Sequence, residues 1–158
     1  MPALHDIIAR CSARKAGELG ADVATVMAVA NEASILKAIE SGHDAGVEIQ
    51  VDMLNVPTAE FATRVRELED MGADYVLLHL AIDELMRNPS ADPLEGLDEL
   101  VDATNLPIGP VVFSNEQGVE AVRRGASYVV IGHPLITMEN SRELLESFAD
   151  AVRGTGGR

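Results

Sequence analysis

Several polar residues sit where apolar runs of this chain end. His79 closes the run Tyr75-Val-Leu-Leu78, and Asp83 follows four residues later. Asp52 lies inside a second run, Val47 to Leu54, with Asn55 just beyond it. Ser114 follows a third run, Pro107 to Phe113, and Gly132 with His133 follows a fourth, Tyr128 to Ile131. Asn31 and Glu32 follow the earliest, Val23 to Val29. A histidine can shuttle a proton near neutral pH, and a carboxylate beside it can share acid–base work. Backbone N–H groups at helix entrances, such as Ser114–Gln117 and the turn after Gly132, can hold a phosphate without a lysine. The candidate catalytic residues are therefore His79, Asp52 and Asp83. The candidate phosphate-binding residues are Ser114, Gly132 and His133.

Each also has a structural reading. His79 could be a satisfied core histidine, and Asp52 could bond a neighbouring strand end. Ser114 is a helix N-cap in either case, and His133 lies in a tight turn between Gly132 and Pro134. His5 and His43 read as surface residues. Asp22 and Asp74, in Gly-Ala-Asp repeats, read as fixing helix-to-strand turns. The chain has no Walker loop, no nucleophile elbow and no HExxH, and no cluster has zinc spacing, so no metal ligand is assigned.

The elements that must position these residues follow from periodicity. Met71-Gly-Ala-Asp-Tyr-Val-Leu-Leu-His-Leu80 has two diverged copies, Leu19–Met27 and Arg124–Gly132. Apolar residues at consecutive positions fit strands buried on both faces, as in a parallel sheet covered by helices. Gly20, Gly46 and Gly72 recur every 26 residues, each after a helix-like stretch and before a strand-like one. That period is the size of one βα unit.

Ala3–Glu18 reads as a helix with Leu4, Ile7, Ile8, Cys11 and Leu19 near one face. Asn31 caps a second helix, ending near Gly42, with Ile35, Leu36 and Ile39 inward. A third helix starts at Pro57-Thr58 and turns Phe61, Val65, Leu68 and Met71 inward. It turns Glu60, Arg64, Arg66, Glu67 and Asp70 to water. Asp83–Asp92 reads as a polar, mobile loop. Helices over Pro93–Ala103, Ser114–Arg124 and Glu139–Val152 complete the set, the last with Leu144, Leu145, Phe148 and Val152 inward. The expected domain is 1–153, with 154–158 as a disordered tail.

The resulting fold class is α/β, with about five parallel strands joined by right-handed crossovers. A closed (β/α)8 barrel needs eight strands and at least ~200 residues. This chain of 158 residues therefore reads as most of such a barrel without its first part, or as a small open α/β sheet. Both place chemistry at the carboxyl ends of the strands.

Composition limits the function classes. Asp and Glu number 26 against 12 Lys and Arg, a net charge of −14, which disfavours nucleic acid as a partner. The apolar runs fall far short of the ~20 residues needed to cross a membrane. No secretion signal is read at the start, and the lone Cys11 rules out an internal disulfide. Cytoplasm is the expected location.

Four segments carry a family resemblance: Gly20-Ala-Asp-Val-Ala-Thr-Val-Met27, Val51-Asp-Met-Leu-Asn-Val-Pro57, Gly72-Ala-Asp-Tyr-Val-Leu-Leu-His79 and Ile131-Gly-His-Pro-Leu-Ile-Thr137. In order and spacing they are similar to the hexulose-6-phosphate synthases of the orotidine 5′-phosphate decarboxylase suprafamily. The likeness runs from about Gly17 to Val152. It implies the C-terminal part of a TIM barrel, usually dimeric, with a magnesium ion. It also implies aldol addition of formaldehyde to ribulose 5-phosphate, or the reverse, through an enediolate. His79 would be the strand-end histidine near the reacting carbons, and Gly132 with His133 would match the phosphate-binding turn. The family's early strands supply an Asp, a metal-binding Glu and an Asp-x-Lys-x-x-Asp motif. This chain has Met1-Pro-Ala-Leu-His-Asp-Ile-Ile8 in that place and lacks the lysine. It also has Val112-Phe113-Ser114 where a Gly-Gly pair is usual. The expectation is thus an N-terminally incomplete relative: a carbon–carbon lyase acting on a sugar phosphate, self-associating through open strand edges. A non-catalytic sugar-phosphate-binding or regulatory module and a decarboxylase of the same suprafamily are the alternatives.

Overall fold

The computed structural model describes residues 4–155, with the side chains of residues 4–7 outside that description. The expectations for Leu4, His5 and Ile7, and for tail residues 156–158, lie outside the described residues. Five parallel strands pair in chain order: β1 (Val23–Met27), β2 (Glu48–Asp52), β3 (Tyr75–Leu78), β4 (Ile108–Val112) and β5 (Val130–Ile131). The helices are α1 (Leu4–Glu18), α2 (Glu32–Asp44), α3 (Phe61–Asp70), α4 (Ile82–Arg87), α5 (Leu97–Ala103), α6 (Asn115–Arg123) and α7 (Ser141–Arg153). Short 3-10 turns at Thr58–Glu60 and Leu135–Thr137 precede α3 and α7.

Glycine makes the repeated helix-to-strand turn possible. Gly20, Gly46 and Gly72 all adopt positive φ, at 85°, 74° and 91°. At Gly20 and Gly46 an added Cβ would meet nothing within 4 Å. The requirement there is the left-handed backbone that ends a helix, not lack of space. Asp74, beyond Gly72, ties the neighbouring unit to its own instead of closing the turn it sits in. Its Oδ2 accepts the Ile49 N–H at 2.6 Å and the His43 Nε2–H at 2.8 Å.

Strand alternation divides the sheet into two faces. Ile49, Val51, Val76, Leu78, Ile108 and Val112 face the helices and are buried. They pack with Ile35, Ile39, Val65, Leu68, Leu97 and Leu100 in one core. Each fully buried aliphatic side chain contributes about 1.5–3 kcal/mol. The other face carries Thr25, Gln50, Tyr75 and Tyr128, joined by polar contacts. Thr25 Oγ1 donates to Gln50 Oε1 at 3.0 Å, Gln50 Nε2 donates to Tyr128 Oη at 2.8 Å, and Tyr128 Oη donates to the Val76 carbonyl at 2.7 Å. Tyr75 and Tyr128 meet edge to face, 6.0 Å between ring centres. Strands β2 and β5 are three places apart, about 14 Å on a flat sheet. The Gln50–Tyr128 bond shows that the sheet curls, and this face is the concave interior of a partial barrel.

Burial pushes the Tyr128 phenol up to about 12. The folded state therefore holds this proton more tightly than the unfolded chain, whose tyrosines titrate near 10. Its contribution is complete below pH ~10 and is lost as pH rises toward 12. A spectrophotometric tyrosine titration of the native protein should show a step near pH 12. Denaturant midpoints should fall between pH ~10 and that value. Two tyrosines ionising together near pH 10 would contradict the burial.

Several expectations need correction. Asp83–Asp92 is not one irregular loop. Ile82-Asp-Glu-Leu-Met-Arg87 forms α4, with acids in its first turn and arginine in its last, and Asn88-Pro89 stops it. Ile8 and Leu19 are 56% and 76% exposed, and Cys11 is exposed as well. Helix α1 docks instead through Ala9, Ala13 and Gly17, where an added Cβ at Gly17 would lie 2.8 Å from Val47 Cγ2. Close approach through small residues leaves the larger ones outside. Leu36 is exposed for the same reason: Ser34, Ala38, Ser41 and Gly42 form the buried face of α2 with Ile35 and Ile39. Arg64 does not face water. Its side chain is 16% exposed and its guanidinium donates to the Ala28 carbonyl at 3.0 and 2.8 Å. That carbonyl, just past β1, needs a donor that the ladder does not supply. Helix α2 runs to Asp44, α5 begins at Leu97, and β5 pairs only at Val130 and Ile131. In α7, Phe148 is buried while Leu144, Leu145 and Val152 are half-buried.

Candidate functional site

The end of β2 and the end of β3 bring Asp52 and His79 together. Asp52 is 6% exposed and pairs in register with Leu77, two residues before His79. Alternation from Tyr75 and Leu77 puts His79 on the concave side, where Asp52 also points. The His79 Nδ1–H donates to Asp52 Oδ2 at 3.0 Å, and Asp52 Oδ1 accepts the Leu54 N–H at 2.9 Å. An ionised carboxylate only accepts, so this contact places the ring proton on Nδ1 and leaves Nε2 as the basic nitrogen. The spacing of the sequence already offered both residues as candidates, and the fold makes them a pair.

His79 lines a cleft of about 250 Å³ between the segment after β2 and the segment after β3. Asn55, Thr58 and Phe61 form one wall; Ala81, Glu84 and Arg87 form the other, with Asp92, Pro93 and Glu95 at the far side. Asn55 has φ of 66°, a left-handed conformation that asparagine tolerates better than most residues. It turns the chain sharply out of β2 toward α3. Arg87 Nε donates to the Asp83 carbonyl at 3.1 Å, and Arg87 Nη2 lies 3.5 Å from Glu84 Oε2. Asp83 itself is exposed, and its side chain does not line the cleft.

The three phosphate candidates occupy the ends of β4 and β5, outside this cleft. Ser114 caps α6. Its Oγ accepts the Gln117 N–H at 3.3 Å, while Gln117 Oε1 accepts the Phe113 N–H at 2.8 Å, close to the reciprocal pattern expected there. At Gly132 an added Cβ would meet nothing within 4 Å, so the turn opens to solvent. His133 is exposed, precedes a cis peptide bond to Pro134, and donates from Nδ1 to Thr137 Oγ1 at 3.3 Å. Strand spacing sets β5 about 10 Å from β3 along the rim.

Arg87 and Thr58 were missed at the level of sequence, because 83–92 was read as a loop and Thr58 as only a helix start. The spacing of Ile82, Leu85 and Met86 before Pro89 was the available signal for α4. Nothing in the sequence marks Gln50 as the partner of Tyr128.

The donors do not fit the magnesium ion that the family resemblance implies. Both Asp52 oxygens are engaged, by His79 and by the Leu54 N–H. Among the described residues no three His, Cys, Asp or Glu side chains converge to hold a metal.

No protein-family model matches the chain. Sequence comparison aligns it with 3-hexulose-6-phosphate synthase 3 of Staphylococcus saprophyticus, 30% identical over 142 residues, covering 89% of this chain and 66% of that protein. The chain thus spans slightly under two thirds of that relative's length. Among solved structures, 3-hexulose-6-phosphate synthase from Salmonella typhimurium superposes with a TM-score of 0.82 at 21% identity, over 93% of this chain and 69% of the other. A 3-keto-L-gulonate-6-phosphate decarboxylase from Vibrio cholerae superposes at 0.73 with 18% identity, over 93% and 68%. Both structures share the fold, and the sequence likeness lies with the synthase.

Proposed function

This chain is a homologue of the 3-hexulose-6-phosphate synthases, and we propose that its His79 site joins formaldehyde to ribulose 5-phosphate, or runs the reverse cleavage. The carrying observation is the Asp52–His79 pair at the carboxyl ends of two adjacent parallel strands. In the forward direction Nε2 of His79 takes a proton from the ketose carbon next to the carbonyl. The resulting enediolate carbon attacks the formaldehyde carbon, forming the new carbon–carbon bond. The formaldehyde oxygen becomes a hydroxyl by taking a proton, which the imidazolium can return. Asp52, through Nδ1, holds the ring in the orientation and tautomer that this transfer needs.

The phosphate falls in this reading at the Ser114 turn, one strand spacing of about 5 Å from β3, and the Gly132–His133 turn, about 10 Å along the rim, a span suited to a five-carbon chain. Asp83 is assigned a secondary place, a carboxylate outside the cleft on the first turn of α4. The decarboxylase alternative rests on fold likeness alone, at 18% identity. Among the described residues no helix is long and apolar enough to cross a membrane. An exposed lone cysteine suits the reducing cytoplasm. The outer edges of β1 and β5 have no strand partner among the described residues, which supports self-association.

The test is formaldehyde consumption by the purified protein with ribulose 5-phosphate, with and without added magnesium. Loss of formaldehyde matched by a new ketose phosphate is expected. A folded sample that consumes none under either condition would end this reading.

A further inference from the structure

Helix α1 docks through Ala9, Ala13 and Gly17. Arg10 and Arg14 follow that stripe by one position, so they stand together beside the contact, about 5–6 Å apart at their Cβ atoms. With Cys11 of α1 and with Ser41 and Asp44 of α2, they line a cavity of about 260 Å³. Its polar groups are not committed elsewhere. A serine inside a helix ordinarily donates to a carbonyl of the preceding turn. Ser41 is only 7% exposed, yet its hydroxyl has no hydrogen-bond partner among the described residues and opens to the cavity. A buried hydroxyl in that state costs stability that a ligand can recover.

The arginines are equally free. Arg10 makes no ion pair among the described residues. Arg14 Nε lies 3.6 Å from Glu18 Oε1, but Lys15 Nζ already holds Glu18 at 2.9 Å. Both partners of that Arg14 pair are exposed, so it contributes little. The last α2 carbonyls that an arginine could cap, those of Gly42 and His43, already accept the N–H groups of Ala45, Gly46 and Val47. Asp44 pairs with neither arginine among the described residues. In a chain of net charge −14, two unspent guanidinium groups face one cavity.

We infer that this cavity binds a small phosphate monoester that also carries a free hydroxyl. The two guanidinium groups take the phosphate oxygens, Ser41 donates to a further oxygen, and Asp44 accepts from the ligand hydroxyl. Bare phosphate uses the arginines but meets Asp44 as a like charge. Helix α2 ends at Asp44, four residues before β2 begins. The cavity therefore lies toward the amino ends of the strands, away from His79 and from the turns at Ser114 and Gly132, and it stands independently of the reading given to them.

The test uses Cys11, the sole cysteine, as a local reporter. Its alkylation by iodoacetamide is timed during titration with glycerol 3-phosphate, with inorganic phosphate and with potassium chloride at matched ionic strength. Glycerol 3-phosphate should slow the reaction to a plateau, inorganic phosphate should need a higher concentration, and chloride should do nothing. Arg10→Gln or Arg14→Gln should raise the concentration for half protection about tenfold, the size of one lost hydrogen bond to a charged group. Ser41→Ala should raise it less, because that bond has a neutral donor. Both arginines are exposed, so neither arginine variant should alter the melting temperature without ligand. Four results overturn the inference: no protection of Cys11, protection matched by chloride, protection unchanged in both arginine variants, or inorganic phosphate protecting as well as the ester. A rise in melting temperature with glycerol 3-phosphate but no protection places the ligand elsewhere and overturns it too.

Discussion

If the proposed activity holds, His79→Ala should lower kcat with ribulose 5-phosphate and formaldehyde by about 10²- to 10⁴-fold, the contribution expected of a positioned general base. The same change leaves Asp52 Oδ2 without its partner in a site where the Asp52 side chain is 9% exposed. Stability therefore falls too, by about 1–3 kcal/mol, the cost of an unsatisfied buried acceptor. Loss of rate alone would thus be ambiguous. His79→Gln separates the two effects. Its amide donor lies one bond further out than Nδ1, so it reaches Asp52 only by bending back and recovers part of the stability, while an amide cannot take a proton and the rate does not recover. Activity regained in His79→Gln would assign His79 a structural role and remove it from the chemistry. Thermal unfolding and initial-rate measurements on both variants decide the matter.

Gly109→Ala should lower stability by about 1–3 kcal/mol, an overpacking cost, although only one methyl is added. A Cβ at Gly109 would fall inside the ring of Tyr128. The ring cannot move aside freely, because its hydroxyl is held by Gln50 Nε2 and the Val76 carbonyl. Swinging it out would forfeit those bonds, each contributing about 1 kcal/mol. The measurement is the urea midpoint at unchanged m value. A midpoint equal to that of the wild type would show that Tyr128 has another place to go. It would also weaken the case that its contacts hold the curl of the sheet. The site at His79, formed at the other ends of the strands, should keep its Asp52 contact in Gly109→Ala.

Much of the architecture was legible because it is local. Positive-φ glycines every 26 residues and consecutive apolar runs specify helix-to-strand turns and doubly buried strands wherever they occur. Asn31 and Ser114 announced their helices because an N-cap is set by residues three apart. His79, Asp52 and the turn at Gly132–His133 were named because parallel α/β sheets collect polar groups at one end of their strands.

What failed were inferences from residue character to environment. Ile8, Cys11 and Leu19 mark one apolar face in the sequence, yet α1 approaches on its alanines and Gly17 and leaves that face exposed. Arg64 was assigned to water as a cation, yet it satisfies a strand-end carbonyl. Helix α4 was missed because Ile82, Leu85 and Met86 give only one i, i+3, i+4 set, a single repeat inside a polar stretch, and with it went Arg87.

By itself, then, the sequence determined the alternation of strands and helices, the ends at which chemistry gathers and the family resemblance, since all of these are written in neighbouring residues. Tertiary structure alone decided that Asp52 meets His79 across 27 residues, that Arg87 lines the same cleft as His79, and that Gln50 reaches Tyr128 across 78. Those contacts depend on the register of parallel strands and the curl of the sheet. Both are set by how the whole core packs, which no single stretch of chain contains.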